Sequence, residues 1–358
     1  MSQLWDILIV GAGPGGASCA SLCAKAGLRT LVIEKAQFPR EKVCGDCINP
    51  GCWPILERLG VDEAILSLPH AKINGIEFSS RNGNRITIPL SSSARGEIAI
   101  KRSRFDQALL DGARENGATA VHGEVVKSLT ALEEGWSAIT DSGTYQAKFL
   151  VAADGRNSTV ARLLGIAPRM IRDRVGLQTH IPVPTGFGDK IVLQQLNEGY
   201  CGLASLGEEE LNVCLVSPPE HILRLKQWAE NKFGISPEHQ WRSVAPLERA
   251  PISPAHTRLL FVGDAARVVE PFTGEGIYYA LATGELAATH LIQAMQGSPA
   301  ELIKYHHAQA QLYRGRLWIN NLSKAAMTKP LVGDILLGLG RFCPEFLGAL
   351  TQKVLGRL

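Results

Sequence analysis

Three cysteines fall within nine positions of the chain, in "KVCGDCINPGCW", residues 42–53. Cys44 and Cys47 form a C-x-x-C, and Cys47 and Cys52 enclose four residues. Thiolates are both the nucleophiles of disulfide exchange and soft metal ligands, so a redox dithiol and half of a zinc site are both open here. No second Cys or His pair has zinc spacing, and His306-His307, in a helical stretch, are expected at the surface. Cys19 and Cys23 lie on the apolar face of the first helix and read as small buried hydrophobes.

The segment before the cysteines has chemistry of its own. "WDILIV" reads as a buried parallel strand, "GAGPGG" as a turn, "ASCASLCAKAG" as a small-residue helix ending at Gly27, and "TLVIE" as a second strand closing at Glu34. Gly11, Gly13 and Gly16 give G-x-G-x-x-G in the strand–turn–helix context that a dinucleotide-binding motif requires. Gly11 makes the tight turn, Gly13 admits the pyrophosphate to the backbone, and Gly16 lets helix and strand pack closely. The helix N-terminus offers free N–H groups to the phosphates, and Pro14 in the turn before it is a further cofactor-binding candidate. Glu34 is placed to accept a ribose hydroxyl, with Lys35 beside it. The motif alone does not choose between NAD and FAD.

Three further segments make the choice. "FLVAADGRNSTVARLLG" runs a strand into Asp154-Gly155, and "RLLFVGDAARVVEPFTGEGIYYALATGELAA" runs another into Gly263-Asp264 before a long helix. Between the first motif and these, Arg102-x-x-Phe105-Asp106 starts an amphipathic helix with Ser103 as its cap. In this order the four segments resemble the flavoprotein superfamily of geranylgeranyl reductases, para-hydroxybenzoate hydroxylase and flavin-dependent halogenases. The resemblance covers most of the chain. It implies FAD as cofactor, NAD(P)H as transient hydride donor, Asp264 on the ribityl chain, Asp154-Gly155 near the pyrophosphate, and Arg102 on the phosphate–ribose stretch. Val125 is expected near the adenine. Gly274, Gly276 and Ile277 open a helix whose positive end would face the flavin's pyrimidine edge and favour its anionic reduced form.

The expected fold class is α/β: a Rossmann-like, glutathione-reductase-type FAD-binding domain with an inserted antiparallel-sheet substrate domain and C-terminal helices. Residues 1–70, 96–170 and 255–297 are assigned to the FAD domain, 71–95 and 171–254 to the substrate domain, and 298–358 to the helical segment. The insertions alternate apolar and polar residues, as in "RITIPL", "KIVLQQL" and "ELNVCLVS". In the last segment, "DILLGLGRF" and "EFLGALTQKVLGRL" mix apolar faces with Lys and Arg; packing on the FAD domain is expected, with peripheral membrane contact as the alternative. A net charge of +3 without a basic stripe argues against nucleic acid as partner and for a small-molecule substrate. No signal peptide is read at the start and no 18-residue apolar run anywhere, so the expected location is a reducing cytoplasm.

Against this background the cysteine loop can be weighed. Disulfide reductases carry a second nucleotide-binding unit and a C-terminal His–Glu pair, neither of which is read here. "FPREKVCGDCINPGCWPILERLG" instead resembles the geranylgeranyl-reductase loop at Phe38, Pro39, Lys42, Cys44, Gly45, Asp46 and Pro50; Cys47 and Cys52 are outside that pattern. Asn49 is read as a cap with Pro50 at the first helical position. Cys44 and Asp46 are the candidate catalytic residues on the flavin face, and Arg40 or Lys42 the phosphate attractors. Reductases and halogenases of this superfamily also carry bulky residues and a proline on one sheet strand; here "GYCGLASLGEEELNVCL" keeps Tyr200 but has Gly202, Ala204 and Ser205. Tyr200 and Pro271 are candidate substrate contacts. The altered strand favours a monooxygenase that hydroxylates an aromatic or polyketide-like molecule. The Cys44 loop and "PFTGEGI" favour the alternative, reduction of isoprenoid double bonds. A flavin-binding protein without turnover is the reading from another class.

Overall fold

The computed structural model describes residues 4–91, 93–169, 173–207, 209–252, 256, 258–270, 274–297, 300–314, 317–328, 332–335 and 338. The strand Leu4–Val10 alternates buried residues onto two cores: Ile7 and Ile9 face one, Leu8 and Val10 the other. Such two-sided burial is what a central parallel strand demands. Its neighbours are Thr30–Glu34 and Thr144–Ala152, both parallel, with Thr119–His122 and Leu259–Phe261 extending the parallel set outward. The outer half of Thr144–Ala152 also pairs antiparallel with Gly135–Ile139, which pairs with Ser128–Leu132, so a meander covers one face.

The helix Pro14–Lys25 lies on the opposite face between the helices Arg102–Glu115 and Gly276–Gln296. Small residues allow this closeness. A Cβ on Gly284 would stand 2.3 Å from the Gly15 carbonyl oxygen, far inside van der Waals contact. Cys19 and Cys23 are buried in this core with their sulfurs 4.0 Å apart.

The second sheet is ordered Arg242–Val244, Val175–Pro182, Glu210–Ser217, Gly199–Ser205, Lys190–Leu196, Gly75–Ser79, Arg85–Pro89. Every pairing is antiparallel except Lys190–Leu196 with Gly75–Ser79. The exception departs from a purely antiparallel sheet. It falls where two separate stretches of chain meet, so no hairpin imposes the opposite direction. The helix Ile222–Phe233 packs its apolar side on the back of this sheet. A third, three-stranded sheet joins Cys47–Ile48 and Ala71–Ile73 to either edge of Glu97–Ala99.

At two helix starts the capping differs from the sequence reading. The helix at Arg102 begins one residue before Ser103, with Lys101 at the cap position and no side-chain cap. Arg102 must be helical because its guanidinium grips Asp106 one turn on, at 2.8 and 2.9 Å. Pro50 does open a helical turn, Pro50–Cys52, but the Asn49 side chain caps no backbone N–H; its Oδ1 accepts the Cys52 thiol at 3.7 Å. At the other end of the chain, Tyr305 and Gln309 in the helix Glu301–Arg314 both donate to the Phe261 carbonyl, at 2.6 and 2.8 Å. The helix Leu317–Thr328 reaches the second sheet, where Gln195 donates to the Ala326 carbonyl at 3.0 Å. No helix among the described residues is long and apolar enough to cross a membrane. The segment "EFLGALTQKVLGRL" and Pro271 lie outside the described residues.

Candidate active site

A continuous cavity of about 620 Å³ lies between the glycine turn and the second sheet. Gly11, Gly13, Pro14, Glu34, Lys35, Arg102, Val125, Asp154, Gly155, Gly263, Asp264, Gly274, Gly276 and Ile277 all border it. Gly16 stands behind the turn rather than on the cavity. Its missing Cβ would come 1.9 Å from the Gly11 carbonyl oxygen, which is the close helix–strand approach expected of the third glycine. Glu34 shapes the turn as well as facing the cavity. Its Oε2 accepts the Ala12 N–H at 2.8 Å and its Oε1 the Ala36 N–H at 2.9 Å.

Beside the turn, four cations converge. Arg40 and Arg102 share the buried Asp106, with Arg40 Nη1 2.9 Å from its Oδ2, and Arg156 pairs with Asp264 at 3.0 Å. Lys42 forms no ion pair among the described residues. Burial first, then the charge of Arg156, pushes its ammonium down to about 8. A cation held this way, on the same cavity as the glycine turn, lacks the counter-charge that a diphosphate brings. FAD therefore fits these residues: its diphosphate would meet the glycine turn and Lys42, and its ribityl hydroxyls Asp264. Asp154 accepts the Val160 N–H at 2.9 Å through Oδ2, while Oδ1 is buried with no hydrogen-bond partner among the described residues. Burial raises its pKa, and the Val160 N–H opposes the rise.

The cysteine loop crosses the middle of the cavity. Cys44 and Cys47 border it, and Cys52 is buried in the core. Burial raises the Cys44 thiol above its ordinary value, while the Arg102 guanidinium beside it pulls the other way. Cys47 is pushed well up by burial, and Cys52 is raised for the same reason. Neither is a thiolate at neutral pH, and Cys19, Cys23, Cys44, Cys47, Cys52, Cys201 and Cys214 are all free. No His/Cys/Asp/Glu cluster suited to a metal is found among the described residues.

Asp46 is not on the cavity. It is fully buried in the left-handed region (φ 58°), and its Oδ2 lies 2.8 Å from His180 Nε2 and 3.1 Å from Gln178 Nε2. Burial raises its pKa, with His180 opposing. From the same face of the second sheet, Asn212 Nδ2 and Cys214 Sγ donate to the Cys44 carbonyl at 2.9 and 3.2 Å. The loop is thus pinned to the sheet by side chains far away in sequence, and none of these partners is visible in the motif that carries Cys44.

Tyr200 borders the far side of the cavity with its hydroxyl turned to Glu270, 3.4 Å away, and Glu270 is paired with the buried Arg174 at 2.7 Å. Gly202 and Ala204 border it too, where larger side chains would narrow it; Ser205 does not. The remaining wall is mainly apolar, with Phe78, Leu193, Val244, Leu247 and Met327, and Ser79, Gln195 and Asn212 border the cavity among them. One acid stands out there. Glu97 lines the cavity at 5% exposure, its Oε2 without a hydrogen-bond partner, and burial pushes its pKa up to about 8. Its signal in the sequence is a lone acid opening the apolar run "EIAI".

Comparison with known proteins agrees with this geometry. The model of the FAD binding domain family matches residues 5–187. Conditioned medium factor receptor 1 of Dictyostelium discoideum is 30% identical over 333 residues, 82% of this chain and 64% of that protein. The chain therefore spans less than two thirds of that relative. Menaquinone reductase of Mycolicibacterium smegmatis is 29% identical over 314 residues, 80% of this chain and 76% of that enzyme. Digeranylgeranylglycerophospholipid reductase of Thermoplasma acidophilum is 28% identical over 333 residues, 85% and 82% of the respective chains. The fold is shared with the flavin-dependent brominase Bmp2, at a TM-score of 0.82 and 21% identity over 99% of this chain and 94% of that one. With more than half of its length matched, the chain belongs to the FAD binding domain family, and FAD is its cofactor.

Proposed function

We propose that this FAD-dependent oxidoreductase reduces carbon–carbon double bonds of a long, apolar, isoprenoid-type substrate, with NAD(P)H as the source of electrons. The observation that carries this reading is the wall opposite the cysteine loop. The strands Gly75–Ser79 and Lys190–Leu196, the loop after Arg242–Val244 and the helix Leu317–Thr328 present Phe78, Leu193, Leu247 and Met327 to the cavity, a surface that buries hydrocarbon and offers little to a polar ring. Two relatives support it by name, a menaquinone reductase and a digeranylgeranylglycerophospholipid reductase. In this reading the second sheet is the substrate domain, inserted in two pieces into the FAD-binding domain.

When bound, FAD supplies hydride-level reducing power. The chain's own residues supply the rest. Lys42, Arg40 and the helix N-terminus hold phosphate; Arg102 and Cys44 line the middle of the cavity; the apolar wall excludes water and holds the chain of the substrate against the loop. Hydroxylation of an aromatic molecule, with oxygen as co-substrate, is the second reading. It is favoured by Gly202 and Ala204, which leave the cavity wide for a compact ring. Purified protein loaded with FAD separates the two. With NADPH or NADH as donor, prenyl and phenolic compounds are supplied with and without oxygen, and products are read by mass. Oxygen-independent gain of two hydrogens by the prenyl compound is expected. A product that has gained an oxygen atom, formed in air alone, would establish hydroxylation instead.

A further inference from the structure

Reduction of an unactivated double bond takes a hydride on one carbon and a proton on the other, so a proton donor must reach the chamber. This inference rests on the double-bond reading above. Among the described cavity-lining residues on the apolar side, the one acid is Glu97, 5% exposed. It sits on the strand Glu97–Ala99 between Cys47–Ile48 and Ala71–Ile73, and the pairing of Cys47 with Ala99 puts Cys47 on the same face. Ile73 is the partner of Glu97 across the ladder, and on the same face Ala71, Ile73 and Ala99 join Ala204 and Leu206 in one apolar cluster. No ion pair to Glu97 forms among the described residues, and its Oε2 is orphaned. An unpaired buried carboxylate is strongly disfavoured, so a site of this kind keeps the group neutral, with a proton to give.

We propose that Glu97, which borders the apolar chamber on the strand beside the cysteine loop, is the proton donor of the reaction. One carbon of the double bond receives hydride, the electrons being those of the nicotinamide donor. The π electrons form the second C–H bond with the Glu97 proton, the O–H bond of the carboxyl breaks, and the carboxylate left behind takes a proton from water. Burial, which lifts the group to about 8, matches its acidity to work at neutral pH. Cys47 and Cys52, the thiols on which a Glu97 charge would act, are raised by burial, stay as thiols and add no charge.

The test compares wild type with Glu97→Gln and Glu97→Asp. Retention of bound FAD, read from flavin absorbance, shows that each variant is folded. Prenyl reduction is expected to fall about 100- to 10,000-fold in Glu97→Gln, with part restored in Glu97→Asp, which keeps a carboxyl one methylene shorter. In parallel, infrared difference spectra across a pH series should show a protonated-carboxyl C=O band at neutral pH that is absent from Glu97→Gln. Prenyl reduction at the wild-type rate by Glu97→Gln overturns the proposal. If wild type reduces no prenyl compound, the reading of the function falls by itself. The infrared band then still decides whether Glu97 is held as the chamber's neutral acid, and its absence overturns that assignment.

Discussion

His180 Nε2 stands 2.8 Å from Asp46 Oδ2, across the boundary between the second sheet and the loop that carries Cys44. The two residues are 134 positions apart. Asp46 is also one of the few non-glycine residues in the left-handed region, so the bond holds a backbone turn that its own chain disfavours. Through this contact the strand Val175–Pro182 sets where the cysteine loop lies over the cavity.

Removing the partner should therefore cost stability. His180→Ala leaves the Asp46 carboxyl buried with Gln178 alone, and a loss of about 1–3 kcal/mol is expected. Urea unfolding measures it, and an unchanged midpoint would mean that the loop is held by the Asn212 and Cys214 bonds alone.

Lys42, which has no ion pair among the described residues, gives a prediction about the cofactor. Lys42→Met should weaken FAD binding about 10- to 100-fold, the worth of one charge-assisted contact of roughly 1.5–3 kcal/mol. Lys42→Arg, which keeps the charge, should recover most of it. Titration of apoprotein with FAD, followed by flavin fluorescence, reads both.

Two glycines of the turn should behave differently. A Cβ on Gly16 would strike the Gly11 carbonyl at 1.9 Å, so Gly16→Ala is expected to disturb the fold and lose FAD together. A Cβ on Gly13 meets only Arg40 Nη2 at 3.6 Å. Gly13→Ala should leave apoprotein stability within about 0.5 kcal/mol of wild type and weaken FAD alone. Thermal melts with and without FAD distinguish the two, and equal melting of both apoproteins would contradict the assignment.

Glu97 also has a signature in stability against pH. Its folded-state pKa, about 8, lies above that of an unfolded glutamate. Between the two values the folded state holds a proton that the unfolded state has lost, so stability falls as pH rises through this window. Glu97→Gln removes that contribution, and its stability should decline less between about pH 5 and pH 8. Unfolding midpoints across a pH series check this; parallel profiles for the two proteins would show that Glu97 is ionised in the fold.

Much of the cofactor site is legible in the chain because its parts are local. Gly11, Gly13, Gly16 and Glu34 work through turn geometry and a strand end, features that a stretch of about 25 residues dictates by itself. Asp154, Asp264 and the helix opening at Gly276 likewise sit at ends of apolar runs, and the sequence places them there. The departures lie where distant segments meet. The parallel join between Lys190–Leu196 and Gly75–Ser79, the grip of Arg102 on Asp106 with Arg40, and the turning of Asp46 toward His180 all depend on partners that no local period encodes.

The cysteine cluster shows the same division. The sequence alone determines that three thiols lie close together on a loop after a nucleotide-binding unit. It does not determine their chemistry, because a thiol's acidity depends on burial and on the charges around it. The tertiary structure decides this: Cys44 lies beside Arg102 at the cavity, Cys47 beside the neutral acid Glu97, and Cys52 in the core. Low dielectric keeps all three protonated, and it is the same burial that leaves Glu97, one unremarkable acid in an apolar strand, holding a proton inside the chamber.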